Sequence, residues 1–247
     1  MTEDLRALGL KRGNHVLVHS SLRSLGNFPN KAQVLLEALL EVLGREGTLL
    51  VPALSYKTVT RERPIFDLAK TPSCVGGFSE FFRNAAGVIR SVHPTHSVCA
   101  YGQQAKPLID AHIGDDTPVG AHSPFQLLRE LNGYLLFIGC GLKPNTSMHG
   151  VEELSRPPYL FGPETEYELK LSKGEILHKK YITHGFEGYE QRYDRVWDLL
   201  GNQDKSRGRI LHAEAFLIRS APMWEKANAI LEKAPFYFVD KAVNVSA

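Results

Sequence analysis

Tyr134-Leu135-Leu136-Phe137-Ile138-Gly139-Cys140-Gly141-Leu142-Lys143-Pro144-Asn145-Thr146-Ser147-Met148-His149-Gly150-Val151-Glu152-Glu153 carries an unbroken apolar run through a glycine-rich turn towards a helix start. The five residues from Tyr134 to Ile138 read as a buried strand, because an apolar run this short, bounded by turn residues, suits a strand covered on both faces. The turn then delivers Thr146, His149 and Glu152 within one or two helical turns. With a helix beginning near Asn145, His149 and Glu152 are spaced i, i+3 and share a face, so the carboxylate can orient the imidazole or balance the charge of its proton. Taken alone, the pair is compatible with a general base, a metal ligand set or an ordinary helix-start contact.

The same strand, turn and helix succession recurs upstream. Val16 to His19 reads as a strand, and Ser20-Ser21-Leu22-Arg23-Ser24-Leu25-Gly26-Asn27 is a hydroxyl-rich turn leading through Pro29 and Asn30 into an amphipathic helix ending near Leu43. Gly44-Arg45-Glu46-Gly47 closes that helix and Thr48 to Val51 forms a second buried strand, so the alternation predicts an α/β fold. A polar turn between strand and helix is a candidate anion cradle, since backbone N–H groups there point outward. Neither a GxGxxG nor a Walker spacing is present, and a tight turn without a ligand explains the residues equally well.

Elsewhere the signals are plainer. Pro52 to Pro72 is a long polar excursion with Tyr56, Lys57, Arg61 and Arg63, at a strand end where α/β proteins build sites, although any one of these cations suits a solvated loop. Phe78 to Asn84 is a short helix whose aromatics belong to the core. Arg90-Ser91-Val92-His93-Pro94-Thr95-His96-Ser97-Val98 precedes a short strand, and His93 and His96 suit loop hydrogen bonding better than metal ligation, because strand alternation separates i from i+3. Ala105 to Asp110 is a helix, and Ser123 caps another with Pro124 at its first position. Past Glu153, Tyr167 to Leu171 and Ile176 to Tyr181 flank Ser172-Lys173-Gly174-Glu175 as a β-hairpin. Thr183 to Gly188 is a polar loop and Tyr189 to Leu200 is expected to be helical. Gly208 to His212 reads as a strand, helices are expected from about Ala213 and about Ala221, and no repeat or low-complexity segment interrupts the 247 residues.

Composition narrows the class. Hydrophobic content of 43% and charged content of 23% are those of a globular protein, and the net charge of +2 arises from 29 basic and 27 acidic residues. That balance predicts neither nucleic-acid binding nor a membrane surface. Cys74, Cys99 and Cys140 have no paired spacing, which points to a reduced, cytoplasmic protein without a disulfide framework or a cysteine-rich zinc site. The apolar runs fall short of the roughly 20 residues that span a bilayer, and the N-terminus has no secretory pattern.

Five short segments, in this order, resemble the aminoglycoside 3-N-acetyltransferase family. They are Val18-His19-Ser20-Ser21-Leu22 with Ser24-Leu25-Gly26; Gly47-Thr48-Leu49-Leu50-Val51-Pro52; Arg90-Ser91 with His93-Pro94 and Ser97; Thr117-Pro118 with Gly120, Ser123 and Pro124; and Thr146 with His149 and Glu152. The likeness covers most of the chain. It implies a single large α/β domain over residues 1–247, distinct from the GCN5-related acetyltransferases, with a C-terminal β-hairpin and helical elaboration. It also implies acetyl transfer from acetyl-CoA to an amine, an antibiotic-resistance activity in the family, without a resident metal. By the same likeness His149 is the catalytic histidine, Glu152 its companion carboxylate and Thr146 a partner of the acyl thioester. His19, Ser20, Ser21 and Leu22 would receive CoA, with Ser97 and Val98 nearby.

The chemistry suits these residue types independently. An ammonium must lose a proton before it attacks a thioester, and a histidine with an ordinary pKa near 6.5 can take it. Acceptor recognition is less well matched. Polycationic aminoglycosides call for carboxylates, yet the Lys57 to Arg63 stretch is basic, and the region where the family often offers an Asp near a Phe reads Thr183-His184-Gly185-Phe186-Glu187. Tyr56, His184 and Glu187 are the expected acceptor contacts; the expected acceptor is an amine of an aminoglycoside or related amino sugar, and the basic stretch favours the hypothesis of an anionic or nucleotide-linked amino sugar or another small amine rather than an antibiotic. Two other functions remain open on the residues: a metal-dependent hydrolase using His93, His96, His149 and Glu152, and a catalytically silent CoA-binding module.

Overall fold

The apolar run at Tyr134 to Ile138 is the third strand from one edge of a seven-stranded mixed sheet. The computed structural model describes residues 1–242. The first half comprises α1 (Thr2–Leu8), β1 (His15–Ser20), α2 (Lys31–Leu43), β2 (Thr48–Pro52), β3 (Ile65–Asp67), α3 (Gly77–Arg83), β4 (Ile89–Arg90), β5 (Val98–Gly102), α4 (Ala105–Asp110) and α5 (Pro124–Glu130). There follow β6 (Tyr134–Ile138), α6 (Ser147–Ser155), β7 (Phe161–Lys170), β8 (Ile176–His184), β9 (Tyr189–Gln191), α7 (Val196–Leu199), β10 (Lys205–Ile210), β11 (Ala213–Arg219), α8 (Ser220–Leu231) and β12 (Val239–Lys241).

The main sheet runs β10-β11-β6-β1-β2-β5-β4, with β6, β1 and β2 parallel and the outer strands antiparallel to their neighbours. Alternate side chains of the parallel strands feed two cores. Val16, Val18, Leu49, Val51, Leu136 and Ile138 pack with residues of α1, α2 and α3, while Leu17, Leu50, Leu135 and Phe137 pack with residues of α4, α5, α6 and α8. Burial on both faces is why these strands are continuously apolar in sequence. After β1 the chain crosses to α2 on one face, and after β6 it crosses to α6 on the other. Such a divergence opens a crevice at the carboxyl ends of adjacent parallel strands, the usual ligand position of an open α/β sheet.

Two smaller sheets flank the main one. In one, β3 pairs parallel with β7, and β7 and β8 form the expected hairpin around a three-residue 3₁₀ turn at Ser172–Gly174. The polar excursion after β2 therefore contributes a strand, and Val59 and Phe66 from it pack with Tyr167, Leu169 and Tyr181. In the other, β9 pairs antiparallel with β12. Helix α5 begins as expected: the Ser123 Oγ accepts the Gln126 N–H at 3.3 Å and Pro124 occupies the first position.

Two segments depart from the sequence expectation. The helix expected from Ala213 is strand β11, paired along its length between β10 and β6. Ala213, Ala215 and Leu217 face one core while Glu214 points outward, an alternation that exists only because β6 has an open edge to pair with. The helix expected over Tyr189 to Leu200 is divided into β9, a 3₁₀ turn at Tyr193–Arg195 and the four-residue α7. Among the described residues no helix is long and apolar enough to cross a membrane.

Candidate active site

A cavity of about 500 Å³ opens at the carboxyl ends of β1 and β2 and is walled by His19, Ser20, Pro52, Asn145, Thr146 and His149. The turn after β6 shapes it. Gly139 adopts φ 65°, and a Cβ there would stand 2.3 Å from that of Ser24, so only glycine allows the chain to leave β6 against the turn that follows β1. That second turn is tied to β6 in return: the Ser21 N–H donates to the Ile138 carbonyl at 2.8 Å and the Ser24 Oγ donates to the Gly139 carbonyl at 2.9 Å.

His149 stands in the first turns of α6 with its side chain 14% exposed, above a wholly buried Glu152. The carboxylate accepts two phenol hydrogen bonds, from Tyr159 to Oε1 at 2.9 Å and from Tyr193 to Oε2 at 2.7 Å. The Tyr193 oxygen also lies 3.0 Å from His149 Nδ1, whereas the direct separation from His149 Nδ1 to Glu152 Oε2 is 3.4 Å. Burial, reinforced by Glu152, raises the Tyr193 hydroxyl well above the usual phenol range. It therefore keeps its proton, donates it to Glu152 and accepts from His149 Nδ1–H. This places a proton on Nδ1 and leaves Nε2 as the nitrogen not engaged by Tyr193. Glu152 thus acts on the imidazole chiefly through Tyr193, a link the i, i+3 spacing does not reveal.

Three more histidines sit close by. His19 stacks on Phe137 with centroids 4.9 Å apart and planes at 4°, and burial together with nearby His149 brings its pKa down to about 3. His96 and His184 are also held neutral by burial, far below the ordinary imidazole value. The His184 Nε2 is 2.8 Å from Glu153 Oε1, an oxygen that also accepts the Val119 N–H at 2.7 Å. The Thr117 hydroxyl donates to the other Glu153 oxygen. Burial pushes Glu153 up to about 7 against the opposing effect of these donors.

The expected contacts divide clearly. Tyr56, Thr146, His149 and His184 all line the cavity, with Tyr56 45% exposed. Thr146 makes no side-chain capping bond to its helix, so its hydroxyl is not spent on α6. Of the CoA segment, His19 and Ser20 line the cavity, whereas Ser21 and Leu22 continue past it into a 3₁₀ turn at Leu22–Leu25. Ser97 and Val98 do not fit a CoA-contacting role. Ser97 is fully buried, with its hydroxyl between the Arg90 guanidinium at 2.9 Å and the Ala53 carbonyl at 2.8 Å, and Val98 is a buried residue of β5. These two brace the sheet edge and offer nothing to a nucleotide. Glu187 is exposed and does not line the cavity, so the acid nearest His184 is Glu153 from α6.

Of the hydrolase set, His96 and His149 offer ring nitrogens within 4.8 Å of each other, whereas His93 and Glu152 are engaged elsewhere. His93 Nδ1 accepts the Thr95 and His96 N–H groups at 3.2 and 2.9 Å, which makes it a turn-former, and both oxygens of Glu152 accept tyrosine hydroxyls. Sequence reasoning missed Tyr159, Tyr193 and the partnership of Glu153 with Thr117. Only Thr117-Pro118 gave a signal, as part of a shared motif whose partner was not apparent.

A family profile described as aminoglycoside 3-N-acetyltransferase matches residues 17–232. The chain belongs to this family. Aminoglycoside N(3)-acetyltransferase IV of Salmonella sp. is 33% identical over 239 residues, which are 94% of this chain and 86% of that protein. The SPbeta prophage-derived aminoglycoside N(3')-acetyltransferase-like protein YokD of Bacillus subtilis (strain 168) is 32% identical over 184 residues, and the match spans 64% of this chain and 65% of that protein. Among solved structures, a histidine-to-alanine mutant of aminoglycoside acetyltransferase AAC(3)-IVa in complex with a gentamicin superposes with a TM-score of 0.80 at 30% identity, covering 96% of this chain and 88% of that one. The fold is also shared with AAC-IIIb, solved as a binary complex with CoASH, at a TM-score of 0.81 and 24% identity over 94% of each chain. The α/β architecture is therefore the one this family uses.

Proposed function

We propose that this protein transfers an acetyl group from acetyl-CoA to an amine of an aminoglycoside or related amino sugar, with His149 as general base and no covalent enzyme intermediate. The observation that carries this reading is the chain from His149 Nδ1 through the Tyr193 hydroxyl to buried Glu152, on the wall of a cavity at the strand ends. That chain holds one ring nitrogen protonated and leaves Nε2 to accept a proton from the acceptor. The amine lone pair attacks the thioester carbonyl carbon as Nε2 takes the N–H proton. The tetrahedral intermediate then expels CoA by breaking the C–S bond, and the imidazolium returns the proton to the thiolate. Its positive charge is offset by Glu152 acting through Tyr193, and Thr146 at the start of α6 can donate to the developing oxyanion. His19 and Ser20 form the CoA side of the cleft, with Ser21 and Leu22 in the turn just beyond it, and Tyr56 and His184 the acceptor side.

The acceptor that suits this cavity carries few ammonium groups. Among the described residues the cavity wall has histidines and Lys143 but no Asp or Glu, so a polycation would find no countercharge there. An amino sugar bearing a phosphate or another anionic group fits better than a multiply charged antibiotic.

His149→Ala tests the base. Replacement is expected to lower kcat by about 10²-fold or more while leaving CoA affinity within a factor of about two, as loss of a general base does. Near-normal turnover by that variant would refute the assignment.

A further inference from the structure

His96, from the turn before β5, His149 on α6 and His184 at the end of β8 each offer one ring nitrogen within 4.8 Å of the other two. Their ring centroids are 5.6, 5.4 and 5.0 Å apart, and all three line the cavity. Each ring is also held by one of its nitrogens. His149 Nδ1 meets the Tyr193 hydroxyl at 3.0 Å, His96 Nδ1 meets Thr95 Oγ1 at 2.8 Å, and His184 Nε2 meets Glu153 Oε1 at 2.8 Å. One nitrogen per ring is left over. That of His184, Nδ1, is buried with no partner, on a side chain only 5% exposed.

Three imidazoles with a carboxylate or hydroxyl behind each are the donor set of a zinc site with an open fourth position. A bound dication also needs nearby negative charge. Glu153 lies behind His184, and Glu152 lies behind His149 through Tyr193, so two buried carboxylates stand one residue further out. Zinc–nitrogen bonds of about 2.0–2.1 Å require the three nitrogens to draw together by roughly 1 Å. Imidazole ligands with no sulfur select for borderline ions such as Zn²⁺ or Co²⁺ over Mg²⁺ or Ca²⁺.

We propose that His96, His149 and His184 bind one divalent transition-metal ion, Zn²⁺ or its like, and that the ion inhibits acetyl transfer by taking the free nitrogen of His149. The inhibitory half rests on His149 being the base; the site itself does not. The reaction proceeds without the ion, which enters from the cavity and occupies the space the acceptor amine needs.

The test is a titration of chelator-stripped protein with CoCl₂, without acetyl-CoA or acceptor, followed by the visible absorption of four-coordinate Co²⁺ and its displacement by ZnCl₂. One Co²⁺ per chain is expected, with affinity falling at least about 100-fold in His184→Ala. His96→Ala, on a separate element, is expected to do the same and keeps the test decisive if one variant fails to fold. Thr95→Val, which removes only the partner behind His96, is expected to weaken binding about 10-fold. Absence of a Co²⁺ spectrum in the unmodified protein, or undiminished binding by the histidine variants, would overturn the site. In a parallel assay Zn²⁺ is expected to abolish acetyl transfer over the range in which it binds. Full activity with the ion bound would overturn the inhibitory role and the assignment of His149 as base, while the metal site would stand.

Discussion

At the scale of single residues, the chemistry is concentrated in how Glu152 and Glu153 differ. They are adjacent on α6 yet face different partners: Glu152 takes two phenol hydrogen bonds and serves His149, while Glu153 takes the Val119 N–H and the Thr117 hydroxyl and serves His184. Tyr193→Phe would remove the hydroxyl that joins His149 to Glu152. The expected result is a fall in kcat of about 10-fold with the KM for acetyl-CoA unchanged, and a loss of roughly 1–3 kcal/mol in stability because a buried carboxylate oxygen loses its donor. Steady-state kinetics with urea unfolding measures both, and an unchanged kcat would remove Tyr193 from the mechanism. Glu153 gives a pH signature. Its pKa is about 7 in the fold against 4.5 for a free glutamate, so between those values the native state holds a proton the unfolded chain has released. Its contribution to stability is complete below about pH 4.5 and is lost as pH rises through about 7. Relative to Glu153→Gln, the unmodified protein is expected to lose an extra 1–3 kcal/mol or so of unfolding free energy between about pH 5 and pH 8. Parallel slopes in the two proteins would return Glu153 to an ordinary carboxylate.

At the scale of elements, α6 is held where it is by the glycine beside its histidine. A Cβ at Gly150 would lie 2.1 Å from Trp224 Cη2 and 2.7 Å from Val119 Cγ1, and Trp224 on α8 is only 1% exposed. Gly150→Ala gains up to about 1 kcal/mol in helix propensity, but the clash with a packed ring outweighs it. A net loss of about 1–3 kcal/mol is expected, seen as a fall in Tm of roughly 3–10 °C for a chain of this size. The shift of α6 also moves His149, so kcat is expected to fall with Tm; a raised Tm would show that α6 and α8 are not in close register. The same elements explain what was legible in the sequence. Strands β1, β2 and β6 announced themselves because burial on both faces demands continuous apolar runs, and α6 did so through the spacing of His149 and Glu152. Strand β11 did not, since Ala213-Glu214-Ala215 favours a helix in isolation and becomes a strand only against the edge of β6. Tyr193 was invisible for a related reason: it lies 41 residues beyond Glu152, and the chain returns it to the site through an irregular turn that local pattern does not encode.

At the scale of the whole molecule, the proposed acceptor preference rests on charge placement. The chain carries only +2 overall, so that preference turns on local arrangement. Lys57, Arg61 and Arg63 are exposed on the excursion after β2, which also carries cavity-lining Tyr56, and Lys143 lines the cavity in an ion pair with Glu190. No carboxylate faces the cavity among the described residues. Every ammonium of a polycation brought there would lose water without gaining a countercharge, whereas a phosphate or carboxylate on a monoamine sugar would meet Lys143 on the cavity wall. A panel pairing aminoglycosides with phosphorylated or nucleotide-linked amino sugars, assayed by thiol release from acetyl-CoA, is expected to give kcat/KM at least about 10-fold higher for the anionic monoamines. Raising the salt concentration is expected to lower kcat/KM for those acceptors, because screening weakens an attraction. Turnover confined to the polycationic antibiotics, or faster turnover at high salt for the anionic sugars, would contradict this placement of charge.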